Sequence, residues 1–482
     1  MDRRTFLKGA LAGAGAAAVG ASAARAESFA NVALPSLRTA LDPPSKTPVK
    51  HLVVVMMENR SVDHYLGWYA QENDGFDGRQ QASFVSPSTG LAVPTSDWGA
   101  NGRGDFHGRG HPDPAHGWGG GREEWNLGAC DGWLRAGNDE FAISYYQPDD
   151  VPVWARMTRE WQAYDRWFCS VLGPTQPNRY YLHSAQSGGW KNNTLPPETG
   201  DPRWMHGWDW PTIWSQMEAA ELSCAYYFAN VPEILFWGER HIRHARHISE
   251  FYAAAAAGQL PAVSFIDPWF SEPQGVANDD HPHADLRLGQ EFLSDLLEAF
   301  TTSPNYRDGA MVVTYDEWGG FWDHVAPPRL ADDRATSFGD DNDFGQLGFR
   351  VPTSIVSPWT TRRPGRGNRV DHTIYEHSSI IKFVTDNWNL GPYLTTRHGA
   401  TNSIEAAFRT FREYQPEPPA VTRYDAPADV VVDPYVGSTS EGSDLHRLGE
   451  LGWFDTFGIR TDWRLEDSYL HRRPWMSRLP VT

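Results

Sequence analysis

Two apolar runs in this sequence end abruptly on acids, and that pattern can build a cation site. Residues 53–57 read VVVMM and are followed by Glu58, Asn59, Arg60 and Ser61, while residues 311–315 read MVVTY and are followed by Asp316 and Glu317. A short continuous apolar run suits a strand buried on both faces, and in open α/β sheets ligands gather outside the carboxyl ends of such strands. If the two strands are near neighbours, Glu58, Asn59, Asp316 and Glu317 form an oxygen-rich cage for one divalent cation. All-oxygen donors favour Ca, Mg or Mn, and a nearby histidine would open the site to Zn. The plainer alternative is that Asn59 or Ser61 caps a following helix with Glu58 solvated at its start, and that Asp316 and Glu317 are caps or surface ion-pair partners.

A nucleophile is offered by GPTQPNRYYLHSAQSGG, which begins at Gly173. Thr175 lies in a Gly-Pro-Thr turn ahead of a helix expected from about Asn178, where helix N-terminal N–H groups favour a phosphate. Metal coordination would lower the pKa of its hydroxyl, whereas the structural alternative is a simple helix cap. Among 18 histidines most must be structural or exposed, but several fall at loop-to-helix junctions. His116 lies in HPDPAHGW, His281 and His283 in NDDHPHADLRLGQ, and His372 and His377 in DHTIYEHSSII. Gly319 and Gly320 let the chain turn after the acid pair and carry Asp323 and His324 back towards it. An imidazole beside a phosphoryl oxygen could stabilise a transition state or protonate a leaving alkoxide.

The elements that must position these groups alternate. Residues 151–163 have helical spacing, a short strand follows them, and DWPTIWSQMEAAEL predicts a helix with Asp209 as N-cap and Pro211 in its first turn. PAVSFIDP predicts a strand, DLRLGQEFLSDLLEAF a helix from Asp285, residues 310–317 a buried strand, VPTSIVSP another strand and YEHSSIIKFVTDNW a helix. This order predicts an α/β sandwich with a mostly parallel central sheet. Residues 74–128, rich in Gly, Asp, His and Trp, read as long ordered loops over the site.

The formal charge of -19 argues against nonspecific nucleic-acid binding, so an anionic substrate must be met by local positive charge or a metal. The 22 Trp suit either a large aromatic core or contacts to carbohydrate, choline or lipid headgroups. Cys130, Cys169 and Cys224 are too few and too scattered for a disulfide scaffold. Residues 1–26 are laid out as a Tat-type signal peptide, with Arg3 and Arg4, a weakly apolar run and an Ala24-Arg25-Ala26 cleavage site. They predict export through the Tat machinery to a periplasmic or secreted location. Residues 27–48 read as an extended lead-in, 49–400 as the catalytic domain and 401–482 as a C-terminal extension packed on it.

Taken together, the motifs resemble the bacterial phosphoesterase family of phosphatidylcholine-type phospholipases C and acid phosphatases, within the alkaline-phosphatase-like superfamily. MMENRSVDHYLGWY, GPTQPNRYYLHS, DDHPHADLRLGQ and YDEWGGFWDHVAPP carry the resemblance in that order, supported by PAHGW and VPTSIVSPW. It implies an alkaline-phosphatase-like three-layer sandwich in which Glu58, Asn59, Thr175, Asp316 and Glu317 bind the metal. It further implies that Thr175 is the phosphorylated nucleophile and that His116, His281, His324 and His377 line the phosphate pocket. The function so implied is hydrolysis of phosphate esters, with a phosphatidylcholine-like diester as first substrate, a phosphomonoester as the alternative, and transient contact with a membrane surface. Trp318 departs from the family pattern, which places a His after the acid pair. A sulfatase is disfavoured because no Cys has Pro two residues on and Arg four on; a noncatalytic sugar- or lipid-binding protein would have no reason to keep these groups together.

Overall fold

The computed structural model describes residues 46–194, 207–270, 276–362, 370–409, 414–433, 454–460 and 462–479. The signal-peptide reading and almost all of the lead-in therefore lie outside the described residues. Eight strands form the central sheet: β1 His51–Met57, β2 Gln162–Tyr164, β3 Cys224–Phe228, β4 Ala245–His247, β5 Val263–Ile266, β6 Gly309–Tyr315, β7 Ser354–Val356 and β8 Val370–Asp371. Their spatial order is β8-β2-β7-β6-β1-β5-β3-β4. Strand β7 runs antiparallel to β6 and β2, and every other neighbouring pair is parallel. The sheet is thus mostly parallel, as the alternating elements predict.

The VVVMM run lies within β1, at the centre of the sheet, and every residue of β1 is buried. It pairs with β6 in the register Met57↔Tyr315, so the two acid-tipped ends lie side by side. On its other edge Val55 pairs with Ile266 of β5. Helices Thr175–Ser184, Ile213–Ala219 and Ser378–Trp388 pack among themselves, and helices Pro152–Glu160, Ile248–Ala257 and Leu286–Thr302 form a second set.

Several boundaries differ from the sequence expectation for local reasons. The helix expected from Asp209 begins at Ile213, because the Thr212 side chain accepts from Ser215 N at 3.3 Å and takes the N-cap role. The helix expected from about Asn178 begins at Thr175. The 151–163 pattern divides into the helix Pro152–Glu160 and strand β2. Residues 74–128 hold a hairpin of Ser83–Val85 with Ala92–Pro94 and the helix Trp118–Trp125.

Tyr424, Ala426, Tyr469 and Leu470 of the C-terminal extension bond to helix Leu286–Thr302, while Ile404–Phe408 packs on helix Ser378–Trp388. Helix Leu286–Thr302 is buried almost all round, including Glu291 and Asp295. Arg473 pairs with Glu291 at 2.5 Å and Asp295 at 2.8 Å, and Trp475 Nε1 donates to Glu291 at 2.7 Å. The extension thereby supplies the charge and donors that let two acids sit inside the protein.

Candidate active site

The parallel register places the first groups. Asp316 N donates to Met57 O at 3.0 Å, and Asn59 N donates back to Asp316 Oδ1 at 3.0 Å. Arg60 N then donates to Glu317 O at 3.1 Å. Asn59 itself adopts φ 60°, a left-handed turn that Asn tolerates. Gly319 is required here: at φ 67° it passes so close that a Cβ would lie 2.2 Å from Asn59 O. Gly320 likewise approaches Pro114, where a Cβ would lie 2.7 Å from the backbone carbon. The glycine pair thus presses the acid loop against both the Asn59 turn and the loop carrying His116.

Thr175 is the first residue of its helix rather than the cap, which is Pro174. The Asn178 side chain closes the turn, donating to Gly173 O at 2.8 Å and accepting from Val171 N at 3.0 Å. Thr175 Oγ1 is held 3.4 Å from Glu58 Oε2. Glu58 is almost wholly buried, so it is not a solvated residue at a helix start. Ser61 does cap the short helix Val62–Leu66.

Arg179, one helical turn after Thr175, enters the same acidic pocket. Its guanidinium lies 2.7 Å from Glu58, 3.0 Å from Asp267, 3.2 Å from Glu233 and 3.7 Å from Asp316. Burial, reinforced by Asp316, pushes the Glu58 carboxyl well up. Burial also raises Glu233 and Asp316, and takes Asp267 to about 7. Burial works against the Arg179 charge, but the surrounding carboxylates outweigh it and hold its pKa high.

These residues fit a divalent cation. Buried Asn59 Oδ1 and Asp316 Oδ2 accept no hydrogen bond among the described residues. Four carboxyl groups face one guanidinium, and burial raises the pKa of each, so the site is short of positive charge that a cation would supply. The oxygen donors of Glu58, Asn59, Thr175 and Asp316, with Glu317 beside them, suit a hard ion.

The histidines divide into three locations. His116 Nδ1 donates to Pro114 O at 2.6 Å, which leaves Nε2 as an acceptor 3.4 Å from Asn59 Nδ2 and 4.0 Å from Glu317. His281 Nδ1 is bonded to Pro282 O, and its Nε2 faces Asp113 at 3.9 Å. Asp113, His116 and His281 form a group whose ligand atoms lie within 4.8 Å of one another. The backbone pins it to β1, since Glu58 N donates to Asp279 O at 2.8 Å and His281 N to Asp279 Oδ1 at 3.0 Å.

His377 lies behind the acids. Its Nε2–H donates to the Asp316 carbonyl at 2.6 Å, and burial lowers its pKa to about 4. The structure does not bring His324 to the pocket. Both its nitrogens are committed elsewhere, to Asp63 at 2.5 Å and Asp77 at 2.8 Å, beside the buried Arg350–Asp323 pair. His372 is bonded to Asp165 at 2.9 Å and His283 to His111 O at 3.0 Å. Trp318, in the place of the family's His, packs its ring against Gly121 and donates to Glu124 at 2.8 Å, filling the space beneath helix Trp118–Trp125.

Sequence reasoning missed Arg179, Glu233, Asp267 and Asp113. Asp267 was signalled: it ends the VSFI strand just as Glu58 ends VVVMM. Arg179 stands four residues after Thr175, hence on the same helix face. Glu233 and Asp113 carry no comparable local signal.

The sequence profile of the Phosphoesterase family matches residues 49–391. Non-specific phospholipase C6 of Arabidopsis thaliana is 33% identical over 386 residues, covering 74% of this chain and 71% of that protein. Phospholipase C B of Mycobacterium tuberculosis is 27% identical over 468 residues, covering 84% of this chain and 87% of its own. Among solved structures, a protein in the alkaline phosphatase superfamily from Vibrio parahaemolyticus aligns with 95% of this chain and 97% of its own, at a TM-score of 0.35 and 10% identity.

Proposed function

Because the chain belongs to the Phosphoesterase family and is a phosphoric ester hydrolase, we propose that it is an exported, metal-dependent phospholipase C acting on phosphatidylcholine-like diesters. The relatives' names support the diester. The observation that carries the mechanism is the approach of Thr175 Oγ1 to Glu58 Oε2 at 3.4 Å, beside Asp316. Export is the reading of Arg3 and Arg4 in the leader, with a periplasmic or secreted destination.

In this reading Glu58, Asn59, Thr175, Asp316 and Glu317 hold one divalent ion. When bound, the ion supplies positive charge that lowers the Thr175 hydroxyl pKa and neutralises phosphoryl oxygens. Thr175 Oγ1 attacks phosphorus in line, its proton passing towards Glu58, and the P–O bond to diacylglycerol breaks, the departing alkoxide taking a proton from water. The headgroup phosphate is then esterified to Thr175. Water attacks that ester and releases the phosphorylated headgroup; in this reading His281, its ring kept neutral by burial and its Nδ1–H donating to Pro282 O, takes the water's proton at Nε2, and Thr175 Oγ1 recovers its own from Glu58. Two displacements give net retention at phosphorus. His116 orients Asn59, and His377 holds the Asp316 backbone.

Hydrolysis of phosphatidylcholine and para-nitrophenyl phosphate by metal-reconstituted enzyme tests this reading. Release of phosphorylcholine with little monoester turnover is the expected result. A reversed preference would make the protein an acid phosphatase, and loss of neither activity in Thr175→Ala would remove the mechanism.

A further inference from the structure

Leu127 and Phe338, far apart in sequence, meet on the surface as neighbouring exposed apolar side chains, at 62% and 59% exposure. The Phe338 ring stands edge-on to buried Trp125 at 5.2 Å, and Gly339, at φ 80°, passes so close to Leu127 that a Cβ there would lie 2.9 Å from the leucine side chain. Leu127 is held in the left-handed region at φ 55°, directly after Asn126 at φ 41°. A leucine rarely adopts that conformation, and here it presents the side chain to solvent.

Both loops are tied to the turn that carries Thr175. Helix Trp118–Trp125 ends at Leu127's neighbour and begins at Trp118, against which a Cβ on Gly173 would lie at 2.8 Å. Arg122 donates to Leu172 O at 2.7 Å, just before the Gly-Pro-Thr turn. On the other loop, Asp341 O accepts from Trp118 Nε1 at 2.7 Å. The two loops are thus joined to each other and to the nucleophile turn. Their tips, residues 127–129 and 335–339, are exposed and carry no charged side chain.

We propose that Leu127 and Phe338 form a wedge that enters the surface of a zwitterionic phospholipid bilayer and brings the Gly-Pro-Thr turn, to which both loops are joined, up to it. A chain with formal charge -19 is repelled by an anionic surface, and with exposed Asp131, Asp333 and Asp341 flanking the uncharged tips, a bilayer without net charge is the surface they meet with least repulsion. Apolar side chains that enter the headgroup boundary gain the burial they lack in water. The proposal rests on the phospholipase reading and names the surface by which that enzyme reaches its substrate.

The test compares wild type with Leu127→Gly/Phe338→Ser on phosphatidylcholine vesicles and on short-chain phosphatidylcholine below its micellar concentration. Glycine suits a positive φ, so the variant should fold at least as well at that position; Phe338→Trp serves as the conservative control. The expected result is that the double variant loses vesicle co-sedimentation and vesicle hydrolysis by roughly tenfold, keeps its rate on the monomeric substrate, and that the Trp variant binds vesicles like wild type. Unchanged vesicle binding in the double variant would overturn the wedge. Absence of hydrolysis of either lipid by wild type would instead overturn the phospholipase reading, with co-sedimentation still reporting on the wedge.

Discussion

The Arg179 guanidinium stands 2.7 Å from Glu58 Oε1 while the other oxygen of that carboxylate faces Thr175 at 3.4 Å. Glu58 is therefore held on one side by a fixed cation and turned on the other towards the Thr175 hydroxyl. Breaking a buried pair of this kind costs about 3–5 kcal/mol, because the remaining charges lose compensation. Arg179→Met is expected to lower unfolding stability by about that amount in chelator-treated protein, read by urea denaturation. Added divalent ion should recover part of the loss, since it binds only the folded form. A variant as stable as wild type without metal would show that Arg179 does not balance these acids.

Removing metal should abolish turnover reversibly. Chelation is expected to eliminate phosphate-ester hydrolysis, and adding back Ca, Mg, Mn and Zn in turn should identify the ion that restores it. Glu58→Gln and Asp316→Asn are expected to lose bound metal in elemental analysis of the folded protein. Retention of full stoichiometric metal by both variants would place the ion elsewhere.

His324 should act as a clasp between loops rather than as a phosphate ligand. Both ring nitrogens face carboxylates, an arrangement that favours the imidazolium. Burial opposes that charge, but the hydrogen bond to and charge of Asp63 raise the pKa above the usual value. The stability it contributes is present below about pH 6.5 and fades as pH rises through the raised folded value. His324→Asn is expected to lose about 1–3 kcal/mol below that pH and to show a flatter stability profile above it. Its activity loss should appear as weaker metal retention, because Asp63 follows Asn59 and His324 follows Glu317 on the two segments that carry the proposed metal ligands. Unchanged stability together with a specific loss of phosphate affinity would return His324 to the pocket.

Acid sensitivity should come in part from a histidine outside the pocket. His183 is buried between Trp214, Trp237 and Phe265, and burial, with Arg179 adding to it, lowers its pKa to about 3. The unfolded chain accepts a proton near pH 6.5 that the folded ring refuses until about 3. Stability linked to His183 is thus present above the unfolded pKa and lost as pH falls towards the folded one. His183→Gln is expected to reduce the slope of unfolding free energy against pH in that window by up to about 1.4 kcal/mol per unit. An unaltered slope would show that the ring is not held neutral.

The sequence made the acid-tipped strands readable because a continuous apolar run followed by acids has few other uses in a soluble sheet. Val53 to Met57 and Met311 to Tyr315 lie in neighbouring parallel strands, so the backbone at Glu58 and Asn59 runs beside that at Asp316 and Glu317. Thr175 was marked by the Gly-Pro turn, although the helix starts at Thr175 and not after it. Glu233 was not visible because a buried ion pair depends on tertiary approach and leaves no periodicity, and the spacing of Arg179 from Thr175 shows a shared helix face but not the acids it meets. His324 followed the acid pair in sequence, yet Asp63 and Asp77 compete for its nitrogens at shorter range. Strand β3 was missed because CAYYF is brief and opens on a half-buried cysteine at an outer part of the sheet.

The central claim is that Thr175 is the nucleophile, and the most direct measurement is mass analysis of the enzyme quenched during turnover of phosphatidylcholine. The expected result is a phosphorylcholine adduct on the peptide containing Thr175 that is absent from Thr175→Ala, with that variant inactive though folded and metal-loaded. An active Thr175→Ala enzyme, or an adduct on another residue, would contradict the account.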